Sequence, residues 1–393
     1  MWRDAVRAGV RRAWPALRGR HPVLRLGLTV VVAFGMGAML RSTDYLDNFG
    51  GSARGTRLER IGRSPNFRDG RCQNPVPTTV MVPGRFMAVA RDWLGKERAR
   101  PRGPLPAVPV TRESFAAPPP DDIRVTWMGH STVLLEVEGR RLLFDPVWAQ
   151  RSSPSRLVGP SRFQPAPLPL AEVPELTAVV ISHDHYDHLD RRAIQHLARR
   201  DARTLFLVPL GVGAHLEKWG VAAARIHEVD WWEESALADG SLRLVAAPAR
   251  HFSGRGPFDR NRTQWCSWVV MGTAHRAYFG GDGGYWPGFA EIGTRFGPFD
   301  LTMLEIGAYH PNWGLIHLGA ENSLRAQADL RGRTLLPIHW GVFDLAVHPW
   351  DEPIETLAAR APTAGVQLLV PRLGEVTRLG AVPAVTPWWR EGT

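Results

Sequence analysis

Between residues 181 and 190 the sequence reads ISHDHYDHLD, so His183, His185, Asp187 and His188 stand within one short stretch that also carries Asp184 and Asp190. A single histidine is ordinarily a core or surface residue. It is the spacing that argues for chemistry here, because the apolar run LTAVVIS leads straight into the group. A strand that ends in a tight loop can turn all four side chains toward one point. Imidazole plus carboxylate is the donor set that Zn²⁺ takes in open, catalytic sites. Neither Cys72 nor Cys266 has a C-x-x-C partner, which argues against a cysteine zinc site. Two unpaired thiols are expected rather than one disulfide, since no staple framework is present. Gly280, Gly281, Gly283 and Gly284 surround Asp282, but no G-K-[S/T] or G-x-G-x-x-G pattern accompanies them. They read as close backbone approach rather than as a phosphate cradle.

The elements needed to hold such a site are visible around it. From Ile123 the runs IRVTWMG, STVLLEVEG and RRLLFDPV alternate or stay apolar between turn residues, as consecutive antiparallel strands do. Further apolar strands (LTAVVIS, TLFLVPL, LRLVAAPA, CSWVVMG, RAYFGGD, LTMLEIG, TLLPIHW) alternate with helical stretches such as DRRAIQHLARR, GVGAHLEKWG and GAENSLRAQADL. This predicts a layered α/β domain over residues 121–380, followed by a tail over 381–393. Residues 41–120, rich in Gly, Pro and Arg, are expected to wrap that domain as extended, turn-filled chain. Trp231, Trp232, Trp265, Trp268 and Trp286 are expected in the core, with the alternative that some line an acyl-accepting groove. No internal repeat is present.

HDHYDH resembles the H-x-H-x-D-H signature of the metallo-β-lactamase-fold hydrolases. That resemblance implies a four-layer αββα sandwich and three further ligands, each after a later strand. His251 follows LRLVAAPAR, Asp282 ends RAYFGGD and His339 follows TLLPI. It further implies two Zn²⁺ per chain. His183, His185 and His251 would hold one, Asp187, His188 and His339 the other, and Asp282 would bridge them. A finer resemblance is to the group of N-acylphosphatidylethanolamine-hydrolysing phospholipases D and their bacterial relatives. It rests on VTWMGHSTVLLEVEG, the DPVW step at 145–148, HYDHLD, GGDGGY, IGAYHPNW and PIHWGVFDL, and extends back to RIGRSPNFRDGRCQNP. Members of that group carry Pro where Glu305 stands and an acidic residue where His310 stands. The activity implied is hydrolysis of a phosphodiester by a hydroxide shared between the metals, with Asp187 orienting the nucleophile. His317 either protonates the leaving group or binds phosphate, or it is a supporting histidine. His130 is expected to hydrogen-bond a ligand rather than to be one. A lactonase or other acyl hydrolase is the alternative enzyme on the same fold. A non-catalytic sensor is the alternative outside enzymes.

Charge and hydropathy add a location. The formal charge of +10 is uneven, with 21 Lys/Arg against 8 Asp/Glu in residues 1–120 and 27 against 30 in the remainder. A nucleic-acid binder should carry its basic stripe on the folded domain, so no nucleic-acid partner is expected. Residues 1–22 are a basic segment, and the apolar residues 23–40 are a candidate transmembrane signal anchor. A membrane-anchored protein with its catalytic domain periplasmic or extracytoplasmic is expected, acting on a phospholipid. The alternative is a cytoplasmic protein with an interfacial or buried helix.

Overall fold

A computed structural model of the chain describes residues 45–117, 121–237 and 240–392. The candidate anchor at 23–40 and the basic segment at 1–22 lie outside them. Tyr45 and Leu46 form a turn, and one compact unit runs from Asp47 onward. Two seven-stranded sheets make up its centre. The first has the order β16-β3-β4-β5-β6-β7-β8, from Val376–Arg378, Ile123–Gly129, Thr132–Val137, Arg140–Phe144, Ala178–Val180, Leu205–Pro209 and Ile226–Val229. The second has the order β15-β14-β13-β12-β11-β10-β9, from Gln367–Leu368, Gly332–Ile338, Phe299–Glu305, Arg276–Phe279, Ser267–Met271, Arg243–Ala247 and Glu234–Ala236. Each sheet is antiparallel on one side of its middle strand and parallel on the other.

The strands read as unbroken apolar runs because both of their faces are covered. Val133, Leu135, Leu142, Phe144, Ala178 and Val180 face the other sheet, while Leu134, Leu143 and Val179 pack outward. The outward set meets α3 (Arg191–Arg200) through Ile194 and Leu197, and α4 (Gly213–Lys218) through Leu216. On the second sheet Phe279 stacks on Phe144 at 4.6 Å between ring centroids, whereas its neighbour Tyr278 turns the other way, toward Phe289 of α5 (Gly288–Phe296). Helices α6 (Gly319–Asp329) and α7 (Glu352–Arg360) complete that outer layer, so the order is helix, sheet, sheet, helix.

Residues 41–120 contain more regular structure than their Pro and Gly content suggests. Helices α1 (Gly55–Arg63) and α2 (Phe86–Leu94) and a short ribbon, β1 (Phe67–Arg68) with β2 (Arg71–Cys72), lie within them. Ile61, Leu105 and Phe115 are buried, which ties this stretch to the domain it wraps. The closing residues also reach inward. Trp388 and Trp389 are 2% and 1% exposed, and Trp388 packs against Trp340 and Trp127. Cys72 and Cys266 are free and buried, and burial pushes the Cys72 thiol up to about 12.

Candidate metal centre

Every sequence-predicted ligand follows the end of a strand, and together they meet at one edge of the sandwich. His183, His185, Asp187 and His188 follow β6, His251 follows β10, Asp282 follows β12 and His339 follows β14. Three residues of this region adopt left-handed backbone: His130 (φ 53°), Asp145 (φ 39°) and His339 (φ 64°). Such conformations carry strain for non-glycine residues and persist where the surrounding structure enforces them. Gly281, beside Asp282, also has positive φ, and a Cβ there would stand 2.6 Å from the Ser182 Cβ. The ligand loop after β12 therefore approaches the loop after β6 as closely as backbone allows.

The donors form two clusters. His183, His185, His251 and Asp282 offer atoms that all lie within 4.8 Å of one another, and so do His130, Asp187, His188 and His339. Asp282 joins them. Its Oδ2 is 4.0 Å from His183 Nε2 and 3.9 Å from His251 Nε2, while its Oδ1 is 3.1 Å from His188 Nε2 and 3.1 Å from His339 Nδ1.

The proton on several of these rings is fixed by what the other nitrogen meets. His188 Nδ1 donates to Asp145 Oδ2 at 2.7 Å, and His251 Nδ1 donates to the Ile316 carbonyl at 2.9 Å. Ser182 Oγ donates to Asp145 at 2.6 Å and so accepts from His183 Nδ1 at 2.9 Å. In each case Nε2 is the nitrogen left facing the cluster. His183 Nε2 and His251 Nε2 approach His185 Nδ1 to 2.8 and 3.3 Å, and His188 Nε2 and Asp282 Oδ1 are buried without a hydrogen-bond partner. Lone pairs converging in a dry site repel unless a cation lies among them, so these residues fit a pair of divalent metal ions. Burial holds His183, His251 and His339 well below the ordinary histidine value, which is the neutral form that metals bind, whereas at His188 the Asp282, Asp187 and Asp145 carboxylates outweigh burial and raise it well above that value. Burial opposes the Asp187 charge, yet His188, His130 and His339 hold its carboxylate far below the usual range.

Supporting residues outnumber those the sequence pointed to. Asp145 of the DPVW step, fully buried, anchors His188 and Ser182 together. Asn74 clamps His251 from both sides of its backbone, its Oδ1 accepting from His251 N and its Nδ2 donating to His251 O. Asp184, inside the motif, accepts from Thr263 Oγ1 and from Gly254 N, and pairs with His215 Nε2 at 3.2 Å. His215, which lacks ligand spacing in the sequence, thus braces the ligand loop. His130 Nε2 donates to Asp187 Oδ2 at 3.1 Å, the contact expected of it. His317 stacks near His339 and His251, at 5.4 and 5.2 Å between centroids, and its Nδ1 meets Glu305 Oε2 at 2.6 Å. Burial pushes Glu305 up, and despite burial Glu305 holds the His317 imidazolium above its ordinary value.

A cavity of about 260 Å³ opens over the metal donors. His185, Asp187, His251, Asp282, His317 and His339 form its polar part, and Val80, Met81, Trp313, Ile316 and Leu345 its apolar wall. A larger cavity of about 450 Å³ is lined by Trp148, Tyr186, Asp190, Arg255 and neighbours but by none of the seven sequence-predicted ligands, so the smaller one is the candidate reaction site. None of the five tryptophans weighed as groove residues lines it; the groove tryptophan is Trp313. Val80 and Met81 come from the wrapping segment, which pairs with the 312–314 stretch through Val82 N to Asn312 O and Gly314 N to Val80 O.

Comparison with known proteins agrees with this architecture. The family model of the β-lactamase superfamily domain matches residues 140–340. An uncharacterized protein of Mycobacterium tuberculosis is 46% identical over 331 residues, covering 84% of this chain and 88% of the relative. The N-acyl-phosphatidylethanolamine-hydrolyzing phospholipase D 1 of Caenorhabditis elegans is 33% identical over 285 residues, covering 69% of this chain and 80% of that protein. Among solved structures, an isothiocyanate hydrolase from Delia radicum gut bacteria shares the fold with a TM-score of 0.52 at 20% identity, covering 65% of this chain and 98% of that one. The chain belongs to the metallo-β-lactamase superfamily, and its homologues there include N-acylphosphatidylethanolamine-hydrolysing phospholipases D.

Proposed function

We propose that the protein is a dinuclear zinc phosphodiesterase of the phospholipase D type, acting on a glycerophospholipid such as an N-acylated phosphatidylethanolamine. The observation that carries this reading is Asp282, whose two carboxylate oxygens face separate histidine clusters on the floor of a cavity with an apolar wall. Zinc bound in both clusters supplies Lewis acidity toward a phosphoryl oxygen and water acidic enough to attack at neutral pH. Asp282, which faces both clusters, would neutralise part of the charge of the ions they hold. Asp187, ionised and steered by His130, orients the attacking water. His317, at the cavity wall, meets the leaving oxygen. Val80, Met81, Trp313 and Ile316 take the apolar part of the lipid and exclude water from the reacting phosphate.

The same reading places the enzyme at a membrane. Among the described residues no helix is long and apolar enough to cross one. The proposed anchor is residues 23–40, oriented by the arginines before it. Exposed Val82, Met87 and Leu94 add apolar surface near the segment that lines the cavity.

The deciding experiment incubates zinc-loaded protein with N-acylphosphatidylethanolamine vesicles and with bis-p-nitrophenyl phosphate, and identifies products by mass spectrometry. Phosphatidic acid with an N-acylethanolamine is expected. Release of fatty acid from the vesicles with no phosphoryl product would replace the reading by that of an acyl hydrolase.

A further inference from the structure

Glu305 is a carboxylate outside the expected ligand set of either metal cluster, yet it is fully buried at the end of β13, beside the site, and offers an oxygen within 4.8 Å of donor atoms of Asp282, His317 and His339. Three donors surround it. Its Oε1 accepts from Gly283 N at 2.7 Å and from Leu318 N at 3.1 Å, and its Oε2 accepts from His317 Nδ1 at 2.6 Å. Gly283 directly follows Asp282, and Leu318 directly follows His317. One side chain therefore fastens the loop carrying the bridging carboxylate to the loop carrying the cavity histidine. An acceptor on Nδ1 decides which edge of the imidazole is left over. With Nδ1 committed to Glu305, Nε2 is the nitrogen available on the ring's other edge, and His317 lines the cavity. Imidazole is the side chain best suited to pass a proton near neutral pH.

Building on the phosphodiester reading above, we propose that Glu305 is a positioning residue that fixes His317 so that its Nε2 delivers a proton to the departing alkoxide. In that step the phosphorus–oxygen bond to the leaving group breaks with its electron pair on oxygen, and that oxygen takes the His317 proton. The new phosphorus–oxygen bond comes from water, whose released proton restores His317 through solvent. The benefit is large for an alkoxide leaving group, which is a strong base. It is small for p-nitrophenolate, which departs unprotonated.

Glu305→Gln separates this role from a merely structural one. The glutamine oxygen can keep the Gly283 and Leu318 contacts, while its NH₂ then faces His317 Nδ1 and requires a lone pair there, so the ring can no longer hold a proton on both nitrogens and its Nε2–H becomes that of a neutral imidazole, a far weaker acid. Nitrogen NMR of metal-free protein labelled at histidine should show His317 Nδ1 protonated in the wild type and unprotonated in the variant, the His317 signal being identified by its absence in His317→Gln. Zinc-loaded Glu305→Gln should lose about a hundredfold in kcat/KM on a short-chain N-acylphosphatidylethanolamine, with kcat falling rather than KM rising, and less than about threefold on bis-p-nitrophenyl phosphate. Elemental analysis should find its zinc unchanged. Equal losses on both esters, or zinc lost with the carboxylate, would overturn the proposal, the second by making Glu305 a ligand. A His317 Nδ1 that stays protonated in the variant would also overturn it. Wild-type protein inactive on both esters would instead remove the phosphodiester reading and the proton transfer with it, while the NMR result still decides whether Glu305 orients the ring.

Discussion

Asp282 is the residue on which the two clusters depend, and its charge matters more than its shape. Asp282→Asn keeps the volume but places a neutral amide, with a donor on one side, between groups that present lone pairs. Zinc measured by elemental analysis should fall from about two ions per chain, the number that two such donor sets hold, and turnover should fall by more than any supporting substitution produces. Asp145→Ala provides that comparison. It removes the acceptor of His188 Nδ1 and of Ser182 while leaving every proposed ligand in place, so zinc affinity should drop by about 10–100-fold, as measured by competition with a chelator. Near-normal affinity in Asp145→Ala would show that the His188 ring is held by packing alone. Of the seven proposed ligands, His183, His185, Asp187 and His188 were legible because imidazole and carboxylate groups crowded at the end of an apolar run form a pattern, whereas His251, Asp282 and His339 came only through the family resemblance. Asp145 and Asn74 were not legible as site residues, and Glu305 stood out only as a departure from the resembling group near the expected substrate side, without a role. Each makes its contact across a long sequence separation or from the far side of a ligand, and F-D-P, Q-N-P and L-E-I look locally like ordinary turn and strand ends.

At the scale of elements, the site sits at one edge of the sheets, and a second device joins their turns elsewhere. Glu138, in the turn between β4 and β5, accepts from the backbone N–H groups of Thr273, Ala274 and His275, in the turn between β11 and β12. Although burial opposes its charge, these hydrogen bonds lower its carboxyl to about 2 in a side chain 12% exposed. The folded value lies below the unfolded one, so the stabilisation is complete above the unfolded value near pH 4.5 and is lost as pH falls through about 2. Glu138→Gln should cost on the order of 2 kcal/mol at pH 7 and much less below pH 3, read from denaturant unfolding of the metal-free protein at both pH values. A pH-independent difference would mean that the turn is held by shape. The ten inner strands of the two sheets were readable because burial on both faces leaves apolar runs, as in VTWMG and TLLPI, whereas the short edge strands β8, β9, β15 and β16 were not. Helices α1, α2, α5 and α7 were not read from the sequence. Two lie in a stretch punctuated by Pro and Gly, and α5 and α7 are nine-residue segments whose burial depends on neighbours.

For the whole molecule, the amino-terminal portion has a role in the fold and a proposed role at the membrane, and a truncation can separate the two. Residues from Asp47 onward are part of the fold: Trp219 Nε1 donates to the Asp47 carbonyl, and Asn48 accepts from Arg191 Nε while its carbonyl accepts from Arg255 Nε. Arg255 in turn donates to the carbonyls of Asp184 and Leu189, in the ligand motif. A cut that removes these contacts would disturb the metal loop and say nothing about membranes. Removal of residues 1–40 spares them and takes away the arginine-rich segment and the proposed anchor. The truncated protein should therefore keep its zinc and its rate on bis-p-nitrophenyl phosphate, and should pass from the membrane fraction to the soluble fraction. Its rate on N-acylphosphatidylethanolamine vesicles should fall by about tenfold or more, because anchoring raises the local concentration of enzyme at the lipid surface. Full-length protein recovered in the soluble fraction without detergent would remove the anchor. Equal vesicle rates before and after truncation would instead assign lipid access to the catalytic domain itself, where Met87 and Leu94 of α2 are 74% and 89% exposed.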